Sequence, residues 1–276
     1  MLRANRFDRF LENGSSKYFV AKCDDGKEWV IRIKKKDKNS KRLFSEYLAG
    51  LLALEFGLNR PLVKLVEIDS VIYTELKDCL DIFDENCLIG TATEFVNDIR
   101  HISSPPNINY SDSNYPQKNL EYLTKLITDK TQFSQLYAMK VFSEWIVLKD
   151  FHKYENLLLS QNHEVYFLDF DLAFMSDGPS DWNDPLKYDW IRMSRHQAPF
   201  WEGIIENEQV YAEHMERLLA LKKESINIDS LPSCWQVPSD YLMRLLDFIF
   251  NNRESFIDGF KHPYEFRNDS TLHNPI

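Results

Sequence analysis

The sequence lacks any apolar run long enough to cross a membrane. No 18 consecutive apolar residues occur, and the first ten residues contain no apolar core of the kind found in secretion signals. Internal repeats and low-complexity tracts are also absent. These absences predict a cytoplasmic protein with no association with a membrane.

Cysteine is scarce, and its spacing is not that of a metal site. Four cysteines occur, at Cys23, Cys79, Cys87 and Cys234. No two of them form a CxxC pair, and no histidine lies at ligand spacing from any of them. The sequence therefore predicts neither a zinc site nor a disulfide framework, which agrees with a reducing compartment.

Basic residues are fewer than acidic ones. The chain has 33 Lys and Arg against 43 Asp and Glu, which gives a net charge of −10 and a pI near 5.3. Surfaces that bind a phosphate backbone need clustered cations, so direct nucleic-acid binding is not expected. The one basic run, Lys34 to Arg42, is interpreted as a solvated loop.

The length and composition indicate a folded chain of two lobes. At 276 residues, with 43% hydrophobic and 14% aromatic residues, the chain can bury a substantial core and exceeds one typical domain. The segment Ser103 to Gln117 is rich in Ser, Pro, Asn and Asp and is the clearest loop or linker. Strand patterns dominate before it and helical patterns after it.

The region with most chemical content lies between residues 145 and 174. Two short apolar runs, Asn156 to Leu159 and Val165 to Leu168, flank a polar turn and predict a β-hairpin. Carboxylate and amide oxygens are the ligands that Mg²⁺ prefers, and they stand at both outer ends of this hairpin. These polar residues are Asp150, Asn156, Asp169 and Asp171.

The spacing of these residues resembles the catalytic and metal-binding segments of protein kinases. Asn156 and Asp169 are thirteen positions apart, as in that template. Asp150 precedes Asn156 by six positions, whereas the kinase loop Asp-x-x-x-x-Asn has five; the residue five before Asn156 is Phe151, which has no acid–base chemistry. The alternative is an ordinary hairpin with solvated acidic ends.

Two features near the N-terminus suggest contacts with a nucleotide. Gly14-Ser15-Ser16-Lys17 offers backbone N–H groups, hydroxyls and an ammonium that could hold phosphates, although a plain turn has the same composition. In the strand pattern from Glu28 to Lys34, alternation places Arg32 and Lys34 on the face opposite Trp29, Ile31 and Ile33. Either cation could therefore project toward a nucleotide.

A helix and a later strand complete the predicted nucleotide site. Apolar periodicity from Ser40 to Phe56, ended by Gly57, predicts a helix that carries Glu46, which would pair with the strand cation or lie on a solvated face. A strand at Thr93 to Val96 leads into a hinge, where the backbone from Glu94 to Val96 could bind an adenine edge.

Further elements follow from the same patterns. The apolar runs at Leu62 to Ile68 and Val71 to Leu76 predict two strands. Helices are predicted over Leu120 to Thr128, Phe133 to Val147, Trp190 to Trp201, Glu206 to Lys222 and Pro238 to Phe260.

The order and intervals of several segments carry a family resemblance. The N-terminal part contains Gly-Ser-Ser-Lys-Tyr-Phe-Val, Asp-Asp-Gly-Lys-Glu-Trp-Val-Ile-Arg-Ile and Ser-Glu-Tyr-Leu-Ala-Gly-Leu-Leu-Ala-Leu-Glu-Phe-Gly-Leu-Asn-Arg-Pro, and the C-terminal part contains the run from Asp150 to Phe174. With these segments the chain resembles the HipA-like serine/threonine kinases, in particular the stand-alone HipA-like kinase domains. The match covers most of the chain.

The resemblance implies an α+β, bilobal protein-kinase-like fold, with an N-lobe over residues 1–97 and a mainly helical C-lobe over 98–276. It implies ATP and Mg²⁺ as cofactors, a protein Ser or Thr hydroxyl as acceptor, and an antitoxin or regulatory partner. By position it implies a phosphate loop at Gly14 to Lys17, a phosphate-contacting cation at Arg32 paired with Glu46, a catalytic Asp150, and metal ligands at Asn156 and Asp169 with Asp171 nearby.

Two departures from the family pattern keep other functions open. Arg32 stands where the family has lysine, and Arg and Lys are not interchangeable because one has a planar fork and the other a point charge. The loop from Asp150 to Asn156 has one residue too many. The alternatives are a pseudokinase that binds nucleotide without catalysis, and a small-molecule kinase of the aminoglycoside phosphotransferase type.

Overall fold

A computed structural model gives the structure of the protein. It describes residues 1–11, 18–34, 36, 40–77, 84, 86–102, 114–148, 154–175, 182 and 208–254. Within these residues, no helix combines the length and apolar character needed to cross a bilayer.

Five strands near the N-terminus close into a barrel in the order β1-β2-β3-β5-β4. The strands are β1 (Leu2–Phe10), β2 (Phe19–Cys23), β3 (Glu28–Arg32), β4 (Val63–Ile68) and β5 (Ile89–Glu94). Neighbouring strands pair antiparallel, except that β1 and β4 run parallel and close the barrel. The alternation predicted for β3 is confirmed, because Trp29, Ile31 and Ile33 are buried in the barrel core.

Strand β1 was not predicted from the sequence. Only Leu2 and Ala4 are buried at its start, and most of the later residues are exposed, so its apolar alternation is short. Its parallel partner, Val66 to Ile68 in β4, lies more than sixty positions along the chain. Because the pairing depends on a distant segment, a local pattern could not reveal it.

Helix α1 (Lys41–Phe56) packs between the barrel and the rest of the chain, and twelve of its sixteen residues are buried. It ends at Gly57, whose left-handed φ of 78° lets its amide bond the carbonyl of Leu54. This agrees with the predicted helix and its stop. The Ser45 hydroxyl donates to the carbonyl of Ala173, which joins α1 to the segment after the hairpin.

The predicted strand at Val71 to Leu76 is wrong, because this segment is helix α2 (Ser70–Lys77). The Asp69 carboxylate accepts the Val71 amide at 2.9 Å and so satisfies a free donor at the helix start. Ile72 and Leu76, four residues apart, are both buried against the barrel core. Tertiary packing and this capping contact outweigh the β-branched composition that suggested a strand.

The remaining elements form a mainly helical part with one small sheet. The helices are α3 (Tyr115–Leu126), α4 (Lys130–Trp145), α5 (Glu208–Ala220) and α6 (Tyr241–Asn251). Short 3₁₀ helices occur at Tyr154–Asn156, Ala173–Met175, Lys223–Ser225 and Ser233–Trp235. A three-stranded antiparallel sheet contains β6 (Ile99–His101), β7 (Leu157–Ser160) and β8 (Val165–Phe167), in that order. The predicted hairpin is therefore confirmed as β7 and β8.

Helix predictions in this part agree with α3 to α6 apart from their ends. The predicted helix at Trp190 to Trp201 lies outside the described residues, as does the chain beyond residue 254. A second core joins α1 to these helices and to the hairpin, with Trp145, Tyr154, Phe142 and Trp235 among its fully buried aromatic residues.

Cys87 and Cys234 form a disulfide, contrary to the prediction that the cysteines form no disulfide framework. The two residues are 147 positions apart, and only the fold brings the start of β5 next to the 3₁₀ helix at Ser233–Trp235. In the same place the indole N–H of Trp235 donates to the carbonyl of Ile89 at 2.9 Å. The bond ties the barrel to the C-terminal part of the chain.

Reduction of this disulfide is expected to lower the stability of the protein. A cross-link that closes a loop of 147 residues removes unfolded-state entropy worth about 5 kcal/mol in the chain-entropy model, so a loss of roughly 2–5 kcal/mol is expected. Urea unfolding with and without dithiothreitol measures it. The double variant Cys87→Ser, Cys234→Ser should have the same urea midpoint as the reduced protein, and dithiothreitol should not change that midpoint. An unchanged wild-type midpoint would contradict the prediction.

His214 on α5 is buried and lies 2.9 Å from the Ser134 hydroxyl on α4, measured from its Nε2. Burial, and then the charge of Arg217, lower the pKa of His214. In the unfolded chain this histidine takes up a proton below about pH 6.5, whereas the folded protein resists it, so acid favours unfolding. One proton gives a slope of at most about 1.4 kcal/mol per pH unit.

The unfolding free energy is therefore expected to fall between pH 7 and pH 5 with a contribution from His214. His214→Gln, which keeps a polar group near Ser134, should show a shallower fall over this range. Equal slopes for the wild type and the variant in urea unfolding series would show that His214 makes no such contribution.

Candidate active site

The hairpin places Asn156 and Asp169 at the same end. Leu157 pairs with Phe167 across β7 and β8, and the Leu168 amide donates to the carbonyl of Asn156 at 3.0 Å. The residues that follow β8 therefore begin next to the residue that precedes β7. This juxtaposition was predicted from the thirteen-position spacing.

The segment Asp169-Phe170-Asp171 is held by helix α1. The Phe170 amide donates to Glu46 Oε2 at 2.7 Å, and both groups are buried. Asp169 has a φ of 61°, in the left-handed region that Asp and Asn occupy more readily than other residues with a side chain. The turn at Asp169 directs the chain from β8 toward α1.

Arg32 joins both carboxylates of this segment. Its Nη2 lies 3.2 Å from Asp169 Oδ1, and its Nη1 lies 2.6 Å from Asp171 Oδ2. The Tyr18 ring covers the guanidinium, with 4.4 Å between its centroid and Arg32 Cζ. The cation on the outer face of β3 therefore reaches the end of the hairpin, 137 positions along the chain.

The two carboxylates differ in their exposure. The Asp171 side chain is 4% exposed and that of Asp169 is 43% exposed. Burial raises the pKa of Asp171 to about 7, with Asp169 and Glu46 adding to the rise and Arg32 and Arg42 opposing it. Burial also works against the charge on Arg32, but Asp171 and Asp169 raise its pKa overall. Asp169 is the carboxylate open to a ligand.

The predicted pairing of Glu46 with Arg32 is not what the structure contains. The salt bridge of Glu46 is with Arg60, between Oε1 and Nη2 at 3.1 Å. Arg32 instead contacts the two aspartates, because two nitrogens of its planar guanidinium can reach both carboxylates at once. Glu46 remains close enough to Arg32 to add to the rise in its pKa.

Lys34 does not share the position of Arg32. Its ammonium pairs with Asp84 Oδ2 at 2.6 Å, away from the aspartates of the hairpin. The contact that this lysine makes gives no support to a role beside Arg32 at the end of the hairpin.

The predicted hinge keeps one free backbone donor. The Glu94 amide donates to Leu62, and the Phe95 amide donates to Glu28, so both N–H groups serve the barrel. The Glu94 carboxylate pairs with Lys27. The Val96 amide has no partner within the described ranges, so its N–H could donate to an adenine ring.

Several predicted site residues lie outside the described residues. These are Gly14, Ser15, Ser16 and Lys17 of the phosphate loop, and Asp150, the predicted catalytic residue. Their roles stay predictions.

The donor set at the end of the hairpin fits Mg²⁺ in its chemistry. The carboxylates of Asp169 and Asp171 and the amide residue Asn156 supply hard oxygens, which this ion prefers. Among the residues that the structure describes, no cluster of three or more His, Cys, Asp or Glu is arranged to hold a metal. Mg²⁺ usually retains water and substrate phosphates beside one or two carboxylates.

Two residues of this site were not singled out from the sequence. Arg60 pairs with Glu46, and Arg42 lies 3.4 Å from Asp171 Oδ2. Arg42 belongs to the basic run that was interpreted as a solvated loop. Its side chain is 51% exposed, but the residue lies in the first turn of α1 rather than in a loop. Arg60 lies in a segment that carries the family resemblance and Arg42 in the basic run, but neither segment indicates which carboxylate the arginine contacts, so only the fold could identify these pairs.

Comparison with known proteins places this geometry in a wider context. A family model of HipA-like kinases matches residues 6–268. A search of curated protein sequences finds no match. Among solved structures, the chain is similar to the Helicobacter pylori proinflammatory kinase CtkA, with a TM-score of 0.53 and 10% identity over 96% of each chain. At this identity the similarity concerns the fold alone, and it confirms the predicted α+β, kinase-like fold.

The chain is also similar to the Golgi casein kinase and to its structure with Mn and ADP bound. Both have a TM-score of 0.46 and 14% identity over 98% of this chain, covering 74% and 75% of those chains respectively. These scores are too low to support further inference.

Proposed function

This chain belongs to the HipA-like kinase family, and on that premise we propose that it transfers the γ-phosphoryl group of ATP, with Mg²⁺, to a serine or threonine hydroxyl of a protein. The observation that carries the proposal is the meeting of Asp169, Asp171 and Arg32 at the end of the hairpin. It brings a cation and two carboxylates together beside Asn156, at the end of the hairpin. Phosphoryl transfer depends on such a collection of charges.

Each residue of the site has a defined role in this proposal. Asp169 and Asn156 would hold Mg²⁺, with Asp171 nearby. When bound, this ion supplies positive charge that neutralises the phosphates. Arg32 would donate hydrogen bonds to a phosphate, and Gly14 to Lys17 would contribute backbone donors. Val96 would donate to the adenine edge.

The transfer step needs a group that receives the acceptor proton. A bond forms between the acceptor oxygen and the γ-phosphorus, the bond from that phosphorus to the bridging oxygen of ADP breaks, and the hydroxyl proton passes to a base. We assign this base to Asp150 from its position in the sequence. A cytoplasmic location and an antitoxin or regulatory partner stay predictions from the family resemblance.

A pseudokinase is the second candidate, and the Arg32 fork is the observation that favours it. A guanidinium held by two carboxylates, one of them buried, competes directly with a metal ion for the same oxygens. If the fork does not open, nucleotide could bind without transfer. The six-position interval from Asp150 to Asn156 supports the same alternative.

The experiment that tests the proposal follows labelled phosphate from ATP. Purified protein is incubated with γ-³²P-ATP and Mg²⁺, first alone and then with protein acceptors, and the products are acid-hydrolysed to identify phosphoserine and phosphothreonine. Label on Ser or Thr supports the proposal. Label transferred only to added hydroxyl or amine compounds indicates a small-molecule kinase. A thermal shift with ATP but no transfer to any acceptor indicates a pseudokinase.

A further inference from the structure

Arg60 is a cation enclosed completely by the protein. Its side chain is 0% exposed and lies between α1 and the segment after the hairpin. Its Nη2 is 3.1 Å from Glu46 Oε1, and its Nε donates to the carbonyl of Pro61 at 3.0 Å. Its guanidinium carbon is 4.6 Å from the centre of the Phe170 ring. A charge enclosed in this way is retained only when its partners compensate for the lost hydration.

The surroundings of Arg60 leave room for this guanidinium and for little else. A Cβ at Gly50 would lie 2.7 Å from Arg60 Nη1 and 2.5 Å from Val63 Cγ1. Gly50 stands four residues after Glu46, on the same face of α1. The lack of a side chain at Gly50 therefore leaves space beside α1 for the Arg60 guanidinium.

Glu46 links this cation to the proposed metal site. One carboxylate oxygen of Glu46 contacts Arg60, and the other accepts the Phe170 amide at 2.7 Å. Phe170 separates Asp169 from Asp171, so that hydrogen bond fixes the backbone between the two carboxylates. Without Arg60, Glu46 would be a buried carboxylate close to Asp171, and it would lose the partner that holds its side chain in place.

We propose that Arg60 is a positioning residue for the metal–nucleotide site. It holds the Glu46 side chain against the Phe170 amide and thereby fixes Asp169 and Asp171. In protein kinases the helix glutamate pairs with the cation of the third strand. Here two different arginines make these contacts: Arg60 pairs with Glu46, and Arg32 pairs with the two aspartates. The inference deepens the proposed function and rests on it.

The test replaces Arg60 with lysine, which keeps the charge but loses the planar fork and the stacking on Phe170. Arg253→Lys is the matched control. Arg253 also lies over a phenylalanine, Phe250, at 5.0 Å, and donates to the carbonyls of Leu218 and Leu219, far from the hairpin. Both variants remove a guanidinium that bonds main-chain carbonyls, so a purely structural effect should appear in both.

Two measurements separate positioning from stability. Hydrogen–deuterium exchange of the peptide covering residues 167–173 reports on the Phe170 amide. The Mg²⁺ concentration that gives half-maximal ADP binding or phosphate transfer reports on the metal site. Arg60→Lys should raise exchange in this peptide and raise the Mg²⁺ midpoint by about tenfold or more, as outer-shell substitutions do. Arg253→Lys should change neither.

The results separate failure of this inference from failure of the proposed function. If wild-type protein transfers no phosphate, exchange and Mg²⁺-dependent ADP binding still report on Arg60. Unchanged exchange and an unchanged Mg²⁺ midpoint in Arg60→Lys would overturn the inference while leaving the kinase assignment intact. Should that variant not fold, Glu46→Gln provides the second test, because glutamine keeps an acceptor at only one of the two oxygen positions that Arg60 and the Phe170 amide contact. Native exchange in Glu46→Gln would also overturn it.

A double variant identifies the route of the effect. If Arg60 acts through Glu46, adding Arg60→Lys to Glu46→Gln should raise the Mg²⁺ midpoint no further than Glu46→Gln alone. Additive changes in that midpoint would mean that Arg60 acts independently of Glu46, and would contradict the proposed route.

Discussion

Replacing Asp169 with asparagine is expected to lower the rate of phosphate transfer by about 10³-fold or more, while leaving the fold intact. The substitution removes the exposed carboxylate that would bind the metal and keeps the shape of the side chain. Asparagine is the better choice over alanine because Asp169 has a φ of 61°, which asparagine tolerates. Transfer of ³²P from ATP measures the activity.

Asp169→Ala should lose activity equally and should also lose about 1 kcal/mol of stability, because alanine is strained in the left-handed region. Asp240→Ala, at an exposed carboxylate that pairs with Arg244 at the start of α6, is the control and should retain both activity and stability. Transfer by Asp169→Asn at a rate close to that of the wild type would refute the assignment of Asp169 to the metal site.

Replacing Arg32 is expected to have the second large effect. Arg32→Met removes the cation that contacts Asp169 and Asp171, and we expect transfer to fall by roughly 10²–10³-fold. The buried carboxylate of Asp171 then loses its closest positive partner, so the variant should also unfold at lower denaturant concentration. Arg32→Lys should recover part of the activity, because one ammonium cannot contact both aspartates in the same way.

Arg42 provides the control for this prediction. It also contacts Asp171 Oδ2, at 3.4 Å, but its side chain is half exposed and water screens its charge. Arg42→Met should therefore reduce transfer by less than about tenfold. If Arg32→Met and Arg42→Met had equal effects, the site would depend on net charge rather than on the fork. If Arg32→Met bound ATP more tightly than wild type and remained active, the fork would be an inhibitory contact.

The Arg32 fork also bears on the choice between an enzyme and a pseudokinase. The planar guanidinium forms ion pairs with two carboxylates simultaneously, and one of them has an elevated pKa in its buried surroundings. Lysine at this position has no planar fork with which to contact both aspartates in the same way. The substitution that first suggests a departure from the kinase pattern therefore has a direct structural consequence, namely a site in which cation and carboxylates are already paired.

The local features of the site were predictable because they depend on short-range periodicity. The strand alternation that puts Arg32 opposite Trp29 follows from the two-residue repeat of a β-strand. The proximity of Asn156 and Asp169 follows from hairpin pairing over thirteen positions.

Other contacts depend on segments far apart in the sequence and could not be predicted in this way. The sequence offers several cations that could pair with Glu46. Which of them it contacts depends on where β4 and α1 pack. The sequence analysis expected Arg32, on the kinase pattern, and the structure has Arg60. Helix α2 shows the same limitation, because burial of Ile72 and Leu76 against the barrel outweighs local strand propensity.

The sequence by itself determined the polar ends of the hairpin, the face of β3 that carries Arg32, and the end of α1 at Gly57. Only the tertiary structure decided that Arg32 contacts Asp169 and Asp171, that Arg60 takes Glu46, and that Cys87 bonds Cys234. The physical reason is that backbone periodicity is set by neighbouring residues. The choice of an ion-pair or disulfide partner is set by distances that exist only after the chain has packed.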